Sequence, residues 1–244
     1  MLRHTGARRS FVHNVRLAVL LCLNAGFING AGFLAFAVLT TNVTGHAALL
    51  AVYVATGRAR AARMVGLWLF LFLLGAFTSS IYIRKFGRER PSAYSIPILV
   101  ILAILLFVLY YGPGFDHSLV ETEYFAGSLL FVMGMQNALV SMISGSVVRT
   151  THLTGTVTDL GIDLSEAVMQ RRPIDPELRR RIYLRLCIIG FFLVGGIGGG
   201  LLFTLYDYRA FAVPVLLLLT ALVYDYARVY VVRKWRTLTD DLIP

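Results

Sequence analysis

The chain has 244 residues, 57% hydrophobic and 15% charged, with a formal net charge of +10 and a mean hydropathy of +0.73. A soluble domain carries about 25% charged residues, so this chain has too little polar surface to be wetted on all sides. That excludes a soluble enzyme, a disordered chain and a secreted disulfide scaffold, and the placement of cations in short clusters between long apolar runs fits a polytopic membrane protein rather than a nucleic-acid binder.

From the N-terminus, a basic tail (1–11) leads into the first apolar run, 17–57. Arg3, Arg8, Arg9 and Arg16, then the run, then Ala35-Phe36-Ala37 imitate a secretory leader. The Gly and Asn pattern of the run recurs later in the chain, so the run is expected to stay in the fold. It holds one crossing and a remainder, 42–57, of roughly 24 Å as helix, short of the roughly 30 Å hydrocarbon core. The runs 64–83, 91–115, 124–148, 186–206 and 210–224 follow, also free of Asp, Glu, Lys and Arg. The last continues through Tyr224, Tyr226 and Tyr230, residues that suit an interfacial belt. Between the fourth and fifth crossings lies 152–169, which carries Asp159, Asp163 and Glu166. Each acid at a helix centre costs up to about 2.5–3.5 kcal/mol, so an ordinary lipid-facing span is excluded there. Cys22 and Cys187 fall in apolar stretches and read as core thiols.

The two halves repeat. Gly26-Phe27-Ile28-Asn29 matches Gly134-Met135-Gln136-Asn137, and Thr41 to Gly45 matches Thr151 to Gly155. Basic clusters follow each (Arg58, Arg60, Arg63; Arg179, Arg180, Arg181), then apolar runs with Gly75 and Gly195, then Tyr94-Ser95-Ile96-Pro97 and Phe211-Ala212-Val213-Pro214. Four matches in one order indicate a duplication, with repeat one about 12–112 and repeat two about 120–235 of a single membrane domain. With a cytoplasmic N-terminus, six crossings leave only Arg58, Arg60, Arg63 and Arg209 outside, whereas eight crossings bring Arg58, Arg60 and Arg63 inside but place Arg84, Lys85, Arg88, Arg90, Arg149 and Arg209 outside, against the positive-inside rule. Three crossings per half is an odd number, so the halves point in opposite directions. The expected fold is all-α: six transmembrane helices as two inverted three-helix repeats, each with a short re-entrant or broken segment, with both termini cytoplasmic and the chain in the bacterial inner membrane. Broken segments survive at membrane depth only where protein or water satisfies their backbone.

The residues that carry the repeat also carry a resemblance. Gly134-Met135-Gln136-Asn137-Ala138, followed by Val148-Arg149-Thr150-Thr151-His152-Leu153-Thr154-Gly155-Thr156, resembles the signature of the YoaK family, also called DUF1275, and the likeness runs over roughly 12–235. The first-half block departs from it, with Asn29 where the family often has Asp and Thr44-Gly45-His46 where it often has Thr-Gly-Asn. The resemblance implies a bacterial integral membrane protein with six spans; it implies no established activity.

Asn29, Gln136 and Asn137 are amides inside apolar runs, suited to hydrogen bonding across helices or to solute coordination. Asn42, Thr44, Gly45, His152, Thr154 and Gly155 open the short segments, where a capping side chain and orphan N–H groups favour a polar or anionic solute. Thr151 belongs to the same motif. Arg149 is an isolated cation, read as a snorkelling residue, a partner for Asp159 or Asp163, or an anion contact. Asp159, Asp163 and Glu166 share one helical face, either solvated or ion-accepting, with Asp159 the candidate for ion coupling. His46 and His152 are candidates for solute contact or a proton relay; they lack metal-ligand spacing, so neither metal nor cofactor is expected. The glycine run Gly195 to Gly200 lacks a phosphate-loop context and reads as close helix packing.

The function these features favour is a secondary transporter of a small polar or anionic solute, alternating access about a midplane site between the repeats. No enzyme motif supports catalysis. A structural or regulatory membrane protein without transport is the alternative, and a membrane-embedded enzyme, for which His152 with Asp159 is the only start, is the third reading. The expected partners are the lipid bilayer, a small solute and, in a homo-oligomer, further copies of the chain; nucleic acid is not among them.

Overall fold

The computed structural model describes residues 11–87, 92–115, 118–170 and 173–223, and these are helical with no strand. The helices are α1 (Phe11–Phe36), α2 (Val43–Ala55), α3 (Ala59–Phe86), α4 (Ser92–Tyr111), α5 (Leu119–Ser144), α6 (Leu153–Met169) and α7 (Pro176–Tyr206). The helix α8 covers 212–223. Short 3-10 turns, Gly112–Gly114 and Asp207–Phe211, join α4 to α5 and α7 to α8. Tyr224, Tyr226 and Tyr230, the expected aromatic belt, and Arg3, Arg8 and Arg9 of the tail lie outside the described residues.

The boundaries follow from local chemistry. The Ser118 hydroxyl accepts from the Glu121 N–H at 3.2 Å to start α5, with Glu121 favourably placed in the positive first turn. Asp175 accepts from the Leu178 N–H at 3.3 Å with Pro176 opening α7. Helix α5 ends on the left-handed Gly145 (φ 65°), and α1 ends on the left-handed Ala37 (φ 53°).

Among the described residues, five segments are long and apolar enough to cross a membrane: Phe11–Phe36, Ala59–Phe86, Tyr94–Gly114, Val120–Ser144 and the stretch Pro176–Val223, which contains both α7 and α8. The sixth expected crossing, 210–224, falls on α8, of which residues 212–223 are described. Helix α2 has 13 residues and α6 has 17. At 1.5 Å per residue these reach only about 20 and 26 Å, too short for an independent crossing. The chain is a multi-pass, all-helical membrane protein in contact with the bilayer.

Helices α1 and α5 are central: 61% and 67% of their apolar windows are buried, against 22% for α3. Helix α1 packs along α7, and α5 along α3; α2 rests on α3, and α6 on α7. The two long pairs meet at glycines that admit a neighbouring backbone. A Cβ on Gly26 would strike the Phe192 carbonyl, and one on Gly134 would strike the Phe72 carbonyl. In return, Gly195 meets the Leu23 carbonyl and Gly75 that of Phe131. Small residues of this kind let membrane helices come close enough for van der Waals and Cα–H···O contact. Outside, Leu73, Phe77 and Ile81 of α3 are more than half exposed, and so are Leu193, Ile197 and Leu201 of α7. Apolar side chains exposed in a stripe along a membrane helix are its lipid face.

Of the acidic stripe of α6, Asp159 and Glu166 are exposed, as a solvated face requires, and Asp163 is not. Asp163 is buried, and its partners are Arg181 and Arg185 of α7, not Arg149. Arg185 also reaches Asp159 at 3.4 Å, and Arg181 reaches Glu166 at 2.9 Å. Two arginines four residues apart on α7 face three carboxylates on one side of α6, so each helix presents a matching ladder. The positions 110 and 120 earlier (Leu49, Tyr53, Thr56; Ala61, Val65) carry no charge, so α2 and α3 meet without ions.

Candidate functional site: a cavity between two helix N-termini

A cavity of about 640 Å³ lies where α2 and α6 begin. Its wall consists of Asn29, Thr41, Asn42, Val43, Thr44 and Phe72 from the first half, and Asn137, Thr151, His152, Leu153, Thr154, Gly155 and Phe192 from the second. Nearly every member has a counterpart at the repeat offset. Asn29 and Asn137 are 108 apart, Thr41 to Thr44 and Thr151 to Thr154 are 110 apart, and Phe72 and Phe192 are 120 apart.

The wall is built by a fold-back after each central helix. Asn29, two turns before the end of α1, accepts from the Thr41 N–H at 3.1 Å and from the Thr41 hydroxyl at 3.0 Å. This pins the link 37–42 back onto α1, two turns short of its end. Asn137 occupies the same place in α5, with its side-chain oxygen buried and unpartnered. Behind them Thr40 and Thr150 are fully buried, with unpartnered hydroxyls.

Each short helix opens on a side chain folded over its own first turn. Asn42 Oδ1 accepts from the Gly45 N–H at 3.0 Å. His152 holds the same position on α6 but makes no cap hydrogen bond. A Cβ on Gly45 would strike the Asn42 amide, and one on Gly155 the His152 ring. The Thr-Gly pair in each motif thus has a steric reason: glycine clears the space that the cap side chain occupies.

Of the residues singled out in the sequence, Asn29, Asn42, Thr44, Asn137, Thr151, His152, Thr154 and Gly155 come together at this cavity. Gly45 sits beneath Asn42 in the first turn of α2. His46 is buried one residue further on, its ring 5.5 Å from that of Trp68 and its Nδ1 unpartnered. Gln136 is fully buried in a bridge to α1. Arg149 is exposed in the α5–α6 link and is not among the lining residues. Asp159 belongs to the α6–α7 ion network. Five lining residues escaped sequence reasoning: Thr41, the counterpart of Thr151, the apolar pair Val43 and Leu153, and the Phe72 and Phe192 pair, which the offset separating Gly75 from Gly195 would have matched.

Residues 17–224 match the family described as "Protein of unknown function (DUF1275)". The chain belongs to this family. It is similar to the UPF0700 transmembrane protein YoaK of Bacillus subtilis (strain 168), with 28% identity over 185 residues, covering 74% of this chain and 80% of that protein. No solved structure matches the chain. The family span takes in both fold-backs, both short helices and the glycine crossings, so the cavity of this DUF1275 chain is built wholly from family-matched sequence.

Proposed function

We propose that the chain is a secondary transporter of a small polar or anionic solute, built as two inverted repeats that alternate access to the cavity between α2 and α6. With a cytoplasmic N-terminus in the inner membrane, α1 runs outward, the link after it turns back by about 10 Å to Asn29, and α2 returns toward the outer face. In the second half α5 runs inward, the link returns to the level of Asn137, and α6 continues toward the cytoplasm, where its acids meet the arginines of α7. Both N-termini then sit near the midplane, the arrangement in which broken helices bind solute in transporters. The observation that carries the reading is the cavity wall, drawn in matched pairs from both halves. Matched crossings, Gly26 with Phe192 and Gly134 with Phe72, give each half the same interface for rocking. The wall offers amides, hydroxyls and one imidazole, groups that suit the binding of a small polar solute.

The test is two-sided labelling of Thr44→Cys and Thr154→Cys, each in a background lacking Cys22 and Cys187, with an impermeant thiol reagent on oriented vesicles. Alternating access predicts that both positions label from either face and that a carried solute protects both. Labelling confined to one face under every condition removes alternating access and leaves a structural or regulatory membrane protein.

A further inference from the structure

We infer that the cavity between α2 and α6 takes a monovalent anion of small carboxylate or oxyanion size; this rests on the transporter reading of the same cavity. The wall contains no Asp, Glu, Lys or Arg, so it has no fixed countercharge for a cation and no side-chain cation for a multiply charged anion. What it does contain is donors. Asn29 spends its oxygen on Thr41, which leaves its N–H₂ group for the cavity. Asn42 spends its oxygen on Gly45 and likewise keeps its N–H₂ group. Asn137 adds a third amide to the wall, its oxygen buried and unpartnered.

The backbone adds to this. Val43 and Thr44 bring the first turn of α2 to the wall, and Leu153, Thr154 and Gly155 bring that of α6. The first turn of α6 has no side-chain cap, so its orphan N–H groups are unclaimed by the protein. Each helix N-terminus carries roughly +0.5 of a unit charge, so two facing one cavity sum to about one positive charge. One negative charge balances that; two do not, because the lining supplies no Arg or Lys to hold the second. A volume of about 640 Å³ is far larger than a bare halide needs and suits a small organic acid or oxyanion with its water. Phe72 and Phe192 give the apolar walls.

The experiment is thermal unfolding of the purified full chain in detergent, titrated with sodium formate, sodium nitrate, sodium sulfate at matched ionic strength, and neutral formamide. Formate or nitrate is expected to raise the Tm saturably, with sulfate and formamide giving no saturable shift. Thr154→Asp places a carboxylate in the cavity at a helix position that favours acids, so the variant folds with an equal or higher basal Tm. Its anion response is expected to weaken by about tenfold or more through like-charge repulsion. An equal shift with formamide, an unchanged anion response in Thr154→Asp, or no shift with any anion overturns the inference. Uptake into proteoliposomes separates it from the transporter reading. Formate binding without flux upholds the anion and removes transport; flux of a neutral solute or a cation without anion binding overturns the anion and leaves transport standing.

Discussion

Asn24 donates its amide to Gln136 Oε1 at 2.7 Å across the α1–α5 contact, with both side chains fully buried. Gln136 in turn donates to the Leu21 carbonyl at 2.9 Å. The bridge ties the central helices together beneath the cavity and takes no part in its wall. Asn24 Oδ1 has no partner, so the bond from Nδ2 to Gln136 is the hydrogen bond that its amide makes. Gln136→Leu is expected to cost about 1–3 kcal/mol, since it leaves a buried amide unpaired. Adding Asn24→Leu should recover most of that loss, with a coupling of roughly 0.6–2 kcal/mol. Thermal unfolding of the two single variants and the double variant measures it. Folded Gln136→Leu should keep the wild-type formate response; a lost response would place Gln136 in the site.

The glycine crossings make a sharper stability test. Gly26→Ala and Gly134→Ala each push a Cβ into a carbonyl of the facing helix, where only backbone can give way. Overpacking of that kind costs about 1–3 kcal/mol. Gly190 on α7 has open space where a Cβ would go. Gly190→Ala should therefore be neutral or stabilise by up to about 1 kcal/mol through helix propensity. If all three variants melt alike in detergent, the crossings are not the close contacts that the geometry gives.

These residues also show what a sequence discloses. The pairs Gly26 with Gly134 and Gly75 with Gly195 were legible because each recurs at a fixed offset, and each pair makes the same contact. The cavity wall was legible for the same reason, since Asn29, Asn42, Thr44 and their counterparts are polar residues in repeated motifs within apolar surroundings. The Asn24 bridge was not. The position 108 later is Val132 and that of Gln136 108 earlier is Ile28, so neither amide has a counterpart, and their contact joins residues 112 apart. Arg149 misled for a related reason: it is close in sequence to Asp159 and Asp163, but the carboxylates turn to the face that meets α7.

That face yields a third prediction. Arg185 serves Asp159 and the buried Asp163 together, while Arg181 serves Asp163 and Glu166. Removing one partner of a buried pair is worse than removing both, because the remaining charge is stranded. Arg185→Met is expected to cost about 3 kcal/mol, the low end for a broken buried pair because Arg181 remains. Adding Asp163→Asn should restore part of that loss. Thermal unfolding of the four species gives the cycle, and additive losses would show that the two side chains are not coupled.

The last prediction concerns Ala37, whose φ of 53° closes α1 in the left-handed region while its side chain faces solvent or lipid. Its counterpart in the second half, 108 residues on, is Gly145, which adopts φ 65° without a Cβ to object. The Ala37 N–H still reaches the Phe33 carbonyl at 2.8 Å, so the turn is formed and the alanine carries its strain. A left-handed L-residue costs roughly 1–2 kcal/mol, part of which glycine returns as unfolded-state entropy. Ala37→Gly is thus expected to stabilise by about 0.5–1 kcal/mol, read as a raised Tm with unchanged labelling at Thr44→Cys. A lowered Tm would mean that the link 37–42 is held by the rigidity of alanine rather than by the Asn29–Thr41 hydrogen bonds, and Asn29→Leu would then leave the fold-back in place instead of releasing it.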